Sequence, residues 1–180
     1  MESFAVITKL YQEYGNSKYM IGEDITQVQH ALQAAHIAKT CNAPPHIIIA
    51  MLLHDIGQLL GQDKCHNIAI EKLHRSHDDI GAKWMKKNNL PQCVYDVAQY
   101  HTLAKVILCD QDPSYLSKLS PASQESYNIQ KQKYSSWHNL SSETLEIVLA
   151  CRRIDDMAKV SDYTPGSIDS YADMYQEVIS

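Results

Sequence analysis

The sequence predicts an all-α fold. Three observations carry that prediction. Helix-opening residues, Ser, Asp and Pro, punctuate the chain at helix-length intervals. Alternating apolar–polar strand patterns are scarce. No repeat, low-complexity tract, charge block or linker interrupts the pattern, so the 180 residues read as one domain, 1–180, with its core about 24–160.

Each element follows from local signals. Ser3 can cap a first helix from Phe4 to Tyr14, stopped by Gly15. Asn16 to Glu23 reads as a loop, and 15–24 as a lid over a site. Asp24 with Gln27 three residues on resembles a capping box for a helix to about Cys41. Pro44-Pro45 opens a helix that runs to His54-Asp55, since Pro suits the first turn. Gly57 and Gly61 mark a loop. Ser76 with Asp79 suggests a second capping box, for a helix to about Lys87 with His77 at its start. Pro91 starts a helix to about Cys109, and Ser120-Pro121 one to about Gln132. Ser141 or Ser142 opens a helix to about Lys159, and Ile168 to Ile179 forms the last.

Composition narrows the partners. A net charge of −5 argues against nucleic acid and against an anionic membrane surface. No run approaches the roughly 18 apolar residues of a membrane span. The start, Met1-Glu-Ser-Phe-Ala, lacks the basic and apolar regions of a signal peptide, and the cysteine usage makes a reducing cytoplasm the expected location. The cysteines at 41, 65, 93, 109 and 151 are odd in number and form no Cys-x-x-Cys, which speaks against disulfides and a thiolate zinc cluster.

The chemistry concentrates at His54-Asp55, where the apolar run Ile47-Ile-Ile-Ala-Met-Leu-Leu ends in an imidazole and a carboxylate. Burying such groups unpartnered is costly, and metal ions are the obvious partners. Candidate further ligands are His30, His66, His74, His77, His101, Asp155 and Asp156. Consecutive helical residues project about 100° apart, so His54 can serve one metal while the two oxygens of Asp55 bridge to a second. We take His30, His54, Asp55, His77, His101 and Asp155 as the ligand set, with His66 and His74 competing for the place of His77 and Asp156 for that of Asp155. His36, His46 and His138 are read as ordinary histidines. Four His and two Asp without thiolate suit iron, manganese, zinc or nickel. Lys105 lies one turn after His101 and Arg152 three residues before Asp155, so each shares a face with a ligand. With Ser123 and Gln130 they can form an oxyanion pocket.

The order His30, His54-Asp55, His77, His101, Asp155 resembles the ligand pattern of the HD-domain superfamily of all-helical metalloproteins. The two histidines between the HD pair and the last Asp mark a two-metal member, hence a single HD-domain bundle around a dinuclear site. The flanking words are more specific. Gly22-Glu23-Asp-Ile-Thr26-Gln27-Val-Gln-His30, Leu52-Leu53-His54-Asp55-Ile-Gly57, His77-x-x-Ile-Gly81-Ala, His101-x-x-Ala-Lys105, Ser120-x-x-Ser123 and Arg152-x-x-Asp155-Asp156-x-x-Lys159 resemble the mixed-valent di-iron oxygenases that cleave organophosphonates (the PhnZ type), relatives of myo-inositol oxygenase.

The resemblance implies two iron ions, Fe(II) and Fe(III), with O2 as co-substrate. His30, His54, Asp55 and Asp155 would hold one iron and Asp55, His77 and His101 the other, Asp55 bridging. The substrate would resemble 2-amino-1-hydroxyethylphosphonate, cleaved at its carbon–phosphorus bond to a carboxylic acid and phosphate. Lys105, Ser123, Gln130 and Arg152 would bind the phosphonate, Glu23 the amine, and Tyr19 would act as a lid ligand. Two positions depart from the family. Gln58 replaces a substrate-contacting His, and glutamine donates a hydrogen bond but cannot relay a proton. Tyr19 stands three residues before Gly22 rather than adjacent to the usual spacing of two before the Gly-Glu pair. Asp55 and Gln58 remain the residues nearest the chemistry. The alternatives are a metal-dependent phosphohydrolase (a nucleotidase or phosphodiesterase) and a non-enzymatic HD module. Oligomeric state is left open.

Overall fold

The computed structural model describes residues 4–19, 23–64, 70–134 and 140–180, without the side chains of 63, 64 and 70–75. Among the described residues the fold is helical throughout, with one isolated antiparallel bridge between Lys18 and Thr26. Among the described residues, no helix is long and apolar enough to cross a membrane.

Helix α1 (Phe4–Tyr14) buries Phe4, Ile7, Leu10 and Tyr11, the spacing of one helical face. The Tyr11 hydroxyl donates to the Leu52 carbonyl at 2.6 Å and ties α1 to the centre of the molecule. The expected Ser3 cap lies outside the described residues. Helix α2 (Gln27–Thr40) opens on a capping box formed by Thr26 and Gln29, a correction to the expected Asp24 and Gln27. The reason is the bridge beside it. Tyr19 donates its N–H to the Ile25 carbonyl and Gln27 its N–H to the Ser17 carbonyl, so the chain stays extended through Thr26.

Helix α3 (Pro45–Leu53) is the hub, buried from Ile47 to Leu53. His54 and Asp55 form a turn, and α4 (Ile56–Lys64) follows at once. The loop expected at Gly57 and Gly61 is therefore a helix. Gly57 is there for contact, not for a turn: a Cβ at this position would lie 1.9 Å from the His77 carbonyl oxygen of α5. Helix α5 (Ile70–Lys87) begins well before Ser76, so His77 sits inside it and the capping box expected at Ser76 and Asp79 does not form.

Helix α6 (Gln92–Gln111) is buried almost continuously from His101 to Cys109. A short helix, α7 (Pro113–Lys118), was not expected from the sequence; the Asp112 carboxylate caps it by accepting from the Ser114 N–H at 2.8 Å. Helices α8 (Pro121–Lys131) and α9 (Ser142–Met157) are capped by Ser120 and Ser141. A 3₁₀ turn (Ile168–Tyr171) leads into α10 (Ala172–Ile179), where one continuous helix was expected. The main core gathers around α3, with Ile49, Leu52 and Leu53 packed among Ile7, Met85, Val97 and Tyr175.

Candidate dinuclear metal centre

Five separate parts of the chain deliver six imidazole and carboxylate side chains, groups that could hold metal ions, to one point. Helix α2 supplies His30, the α3–α4 turn His54 and Asp55, α5 His77, α6 His101 and α9 Asp155, and all six are buried. They fall into two groups, His30 with His54 and Asp155, and Asp55 with His77 and His101; within each group the ligand atoms lie within 4.8 Å of one another. Asp55 faces both. Its Oδ2 lies 3.7 Å from His30 Nε2 and 3.6 Å from His54 Nε2, while Oδ1 lies 3.2 Å from the Nε2 atoms of His77 and His101.

The histidines are oriented from behind. The Nδ1 atoms of His30, His54 and His101 each lie 2.8 Å from a backbone carbonyl, of Ala158, Met51 and Ala98. A carbonyl only accepts, so these Nδ1 atoms carry the proton and Nε2 presents a lone pair inward. The Nε2 atoms of His30 and His54 stand 3.1 Å apart, and those of His77 and His101 3.0 Å apart. Imidazole nitrogens facing at that distance call for a proton or a metal ion between them. Asp55 Oδ1 and Asp155 Oδ1 are buried without a hydrogen bond. The residues therefore fit a pair of metal ions, and an N/O donor set suits iron among others.

Charge agrees with this. Burial pushes the Asp55 and Asp155 carboxyls up, but neighbouring imidazoles and, for Asp155, first the Arg152 guanidinium outweigh it and hold both well below the usual carboxylate range. Burial lowers His54, yet the Asp55 and Asp155 carboxylates raise it to about 9. The cluster is short of positive charge, and protons and metal ions compete to supply it.

A cavity of about 20 Å³ opens on the second group, room for about one water. Lys105, Arg152, Gln58 and Gln130 line it, as the sequence suggested, together with Tyr19. Lys105 is buried and donates to the Ser126 hydroxyl at 2.6 Å; burial, with Arg152 and Lys159 nearby, pulls its pKa down to about 7. Arg152 donates from Nη1 to Asp155 at 2.6 Å and from Nη2 to Asp156. Its Nε and the Gln130 Oε1 are buried without partners. The Tyr19 ring stacks on His30, centroids 3.9 Å apart. Burial pushes its hydroxyl well above its ordinary value, and Asp155 and Asp55 add to that.

Two expected substrate residues sit to one side of this cavity. Ser123 is buried, and its hydroxyl accepts from Lys159 at 2.7 Å. Glu23 accepts from the Ser120 hydroxyl and lies 3.9 Å from Lys159. Asp156 belongs to neither metal group. His66 and His138 lie outside the described residues, as does the side chain of His74, and so do Met20, Ile21 and Gly22 of the expected lid. Sequence reasoning missed Thr102 and Ser126, which line the cavity. Ser126 had a signal: Ser123, Ser126 and Gln130 form an i, i+3, i+7 stripe on α8.

Residues 28–157 match the family described as HD domain. The chain is 29% identical over 173 residues to [1-hydroxy-2-(trimethylamino)ethyl]phosphonate dioxygenase (glycine-betaine-forming) of Leisingera caerulea, covering 94% of this chain and 87% of that protein. It is 36% identical over 129 residues to hydroxymethylphosphonate dioxygenase of Gimesia maris, covering 72% of this chain and 63% of that one. Among solved structures, the HD domain of the L. monocytogenes phosphodiesterase PgpH, crystallised with cyclic-di-AMP, matches with 16% identity and a TM-score of 0.38 over 93% of each chain, too low a score to bear on this site.

Proposed function

Because this chain belongs to the HD-domain family, we propose that it is a di-iron oxygenase that uses O2 to cleave the carbon–phosphorus bond of a small 1-hydroxy-organophosphonate, such as 2-amino-1-hydroxyethylphosphonate, to a carboxylic acid and phosphate. The observation that carries this reading is the placement of Asp55, one carboxylate facing two histidine groups at 3.2–3.7 Å. The two relatives named above as dioxygenases lend the reaction class: their named substrates share a hydroxyl and a phosphonate on one carbon and differ in the amine.

In this reading His30, His54, Asp55 and Asp155 hold one iron and Asp55, His77 and His101 the other. The bound pair supplies the redox chemistry that activates O2. The chain's own residues bind and orient the substrate. Arg152 and Lys105 take phosphonate oxygens, with charge-assisted hydrogen bonds in a buried setting. Gln58 and Gln130 add neutral donors, and Gln58 leaves any proton transfer to another group. Tyr19 covers the cavity and gives way as substrate enters. Glu23, with Lys159 beside it, meets the distal end of the substrate, where the known relatives' substrates differ. The test is anaerobic loading with Fe(II) and partial oxidation. An S = 1/2 signal that shifts on adding a 1-hydroxyphosphonate, with phosphate released on admitting O2, is expected. A zinc-loaded protein that hydrolyses nucleotides and ignores phosphonates rejects the proposal.

A further inference from the structure

Arg152 carries more restraint than a substrate ligand needs. It is buried, and its two terminal nitrogens are each engaged by a carboxylate of the same helix, Asp155 three residues on and Asp156 four residues on. Asp155 belongs to a metal group, and Asp156 does not. The second oxygen of Asp156 accepts from the hydroxyl of Tyr115, which comes from the short helix α7. Tyr115, Asp156 and Arg152 thus form a relay from the edge of the fold to the cavity wall.

We infer that Tyr115 and Asp156 are positioning residues that fix the plane of the Arg152 guanidinium and aim its Nε–H at an oxyanion of the substrate. The geometry argues this in three steps. A single contact at Nη1 would leave the guanidinium free to swing about it. The second contact, at Nη2, fixes the plane, and the Tyr115 hydroxyl keeps the Asp156 carboxylate from turning away. Each terminal nitrogen keeps a second N–H, but the nitrogen that is buried with no partner at all is Nε, on a side chain that lines the cavity. An Asp156 carboxylate so close to a buried site needs such a role, because it adds negative charge where the substrate is itself an anion. Neither residue touches the metal groups, so their effect should appear in oxyanion binding and not in metal binding. The inference rests on the reading above only for the identity of the molecule that brings the oxyanion.

The experiment is a calorimetric titration of the metal-loaded, anaerobic protein with inorganic phosphate and, separately, hydroxymethylphosphonate. Bound metal is counted in each sample. Tyr115→Phe is expected to weaken both ligands about fivefold, the scale of one hydrogen bond, with metal content unchanged. In an Arg152→Lys background the same change should have no further effect, because its route of action is gone. Asp156→Glu, which keeps the charge but shifts the carboxylate, should repeat the pattern and stands in if Tyr115→Phe does not fold. Equal weakening in both backgrounds, unchanged affinity, or affinity lost in step with metal would each overturn the inference. A wild-type protein that binds phosphate but refuses the phosphonate rejects the proposed substrate, and the phosphate series still decides the role of Tyr115. One that binds neither overturns both.

Discussion

Helices α3 and α8 both serve the site, yet they are fixed by different means. Helix α3 ends in His54-Asp55 and is buried from Ile47 to Leu53 among apolar side chains. Helix α8 carries Ser126 and Gln130, and most of what it buries is polar. Its neighbours reach it by hydrogen bonds: Lys105 to Ser126, Lys159 to Ser123, and just beyond its end Tyr134 to Asp78 at 2.6 Å and Lys133 to Asp78 at 2.8 Å. Burial pushes the Asp78 carboxyl up, but His77 and its hydrogen-bond partners bring it down to about 2. Close packing admits one arrangement, whereas a set of polar contacts can exchange partners at small cost. The helix that carries the His-Asp pair is built for constancy, and α8, on one wall of the cavity, for adjustment.

The contrast can be broken at its rigid end first. Asp55→Ala should abolish metal binding at both groups and lower turnover more than a hundredfold, since even residues behind metal ligands are worth roughly 10–100-fold; metal analysis and phosphate release check it. Next, His77→Ala should lose about one metal ion per chain, while His74→Ala keeps both; equal metal contents would remove His77 from the centre. Gly57→Ala should cost about 3 kcal/mol in urea unfolding, the upper range for forcing atoms into a packed interior, because its Cβ meets backbone that cannot rotate aside. The smallest effect is expected at the soft end. Tyr134→Phe should cost about 1 kcal/mol and speed amide exchange along α8, leaving α3 unchanged. Faster exchange in α3 would erase the distinction drawn here.

The same distinction governs what could be read from the sequence. His54-Asp55 was legible, because a His and an Asp ending the buried run of α3 have few innocent explanations. The structure brings His30, His54 and Asp155 into one group and Asp55, His77 and His101 into a second. Lys105 and Arg152 were legible for a related reason, since each shares a helix face with a ligand. What escaped depends on contacts between distant segments. Gly57 looks like a loop residue until the His77 backbone is set beside it. The start of α2 shifts to Thr26 because residues 17–19 pair with 25–27. Helix α7 is six residues long and buries none of them, so it leaves no periodic trace, yet it contributes Tyr115. Ser123 and Ser126 compete on one polar face, and only the reach of Lys105 and Lys159 separates them.

The crossing of α4 over α5 carries a last consequence. Residue 57 has no side chain, so α4 lies directly on the backbone of His77, two residues after the carboxylate that His77 faces. How close His77 stands to Asp55 is therefore set by how closely two helices can touch. A larger residue at position 57 would press on the His77 backbone and change that distance, while His101, carried by α6, is held separately.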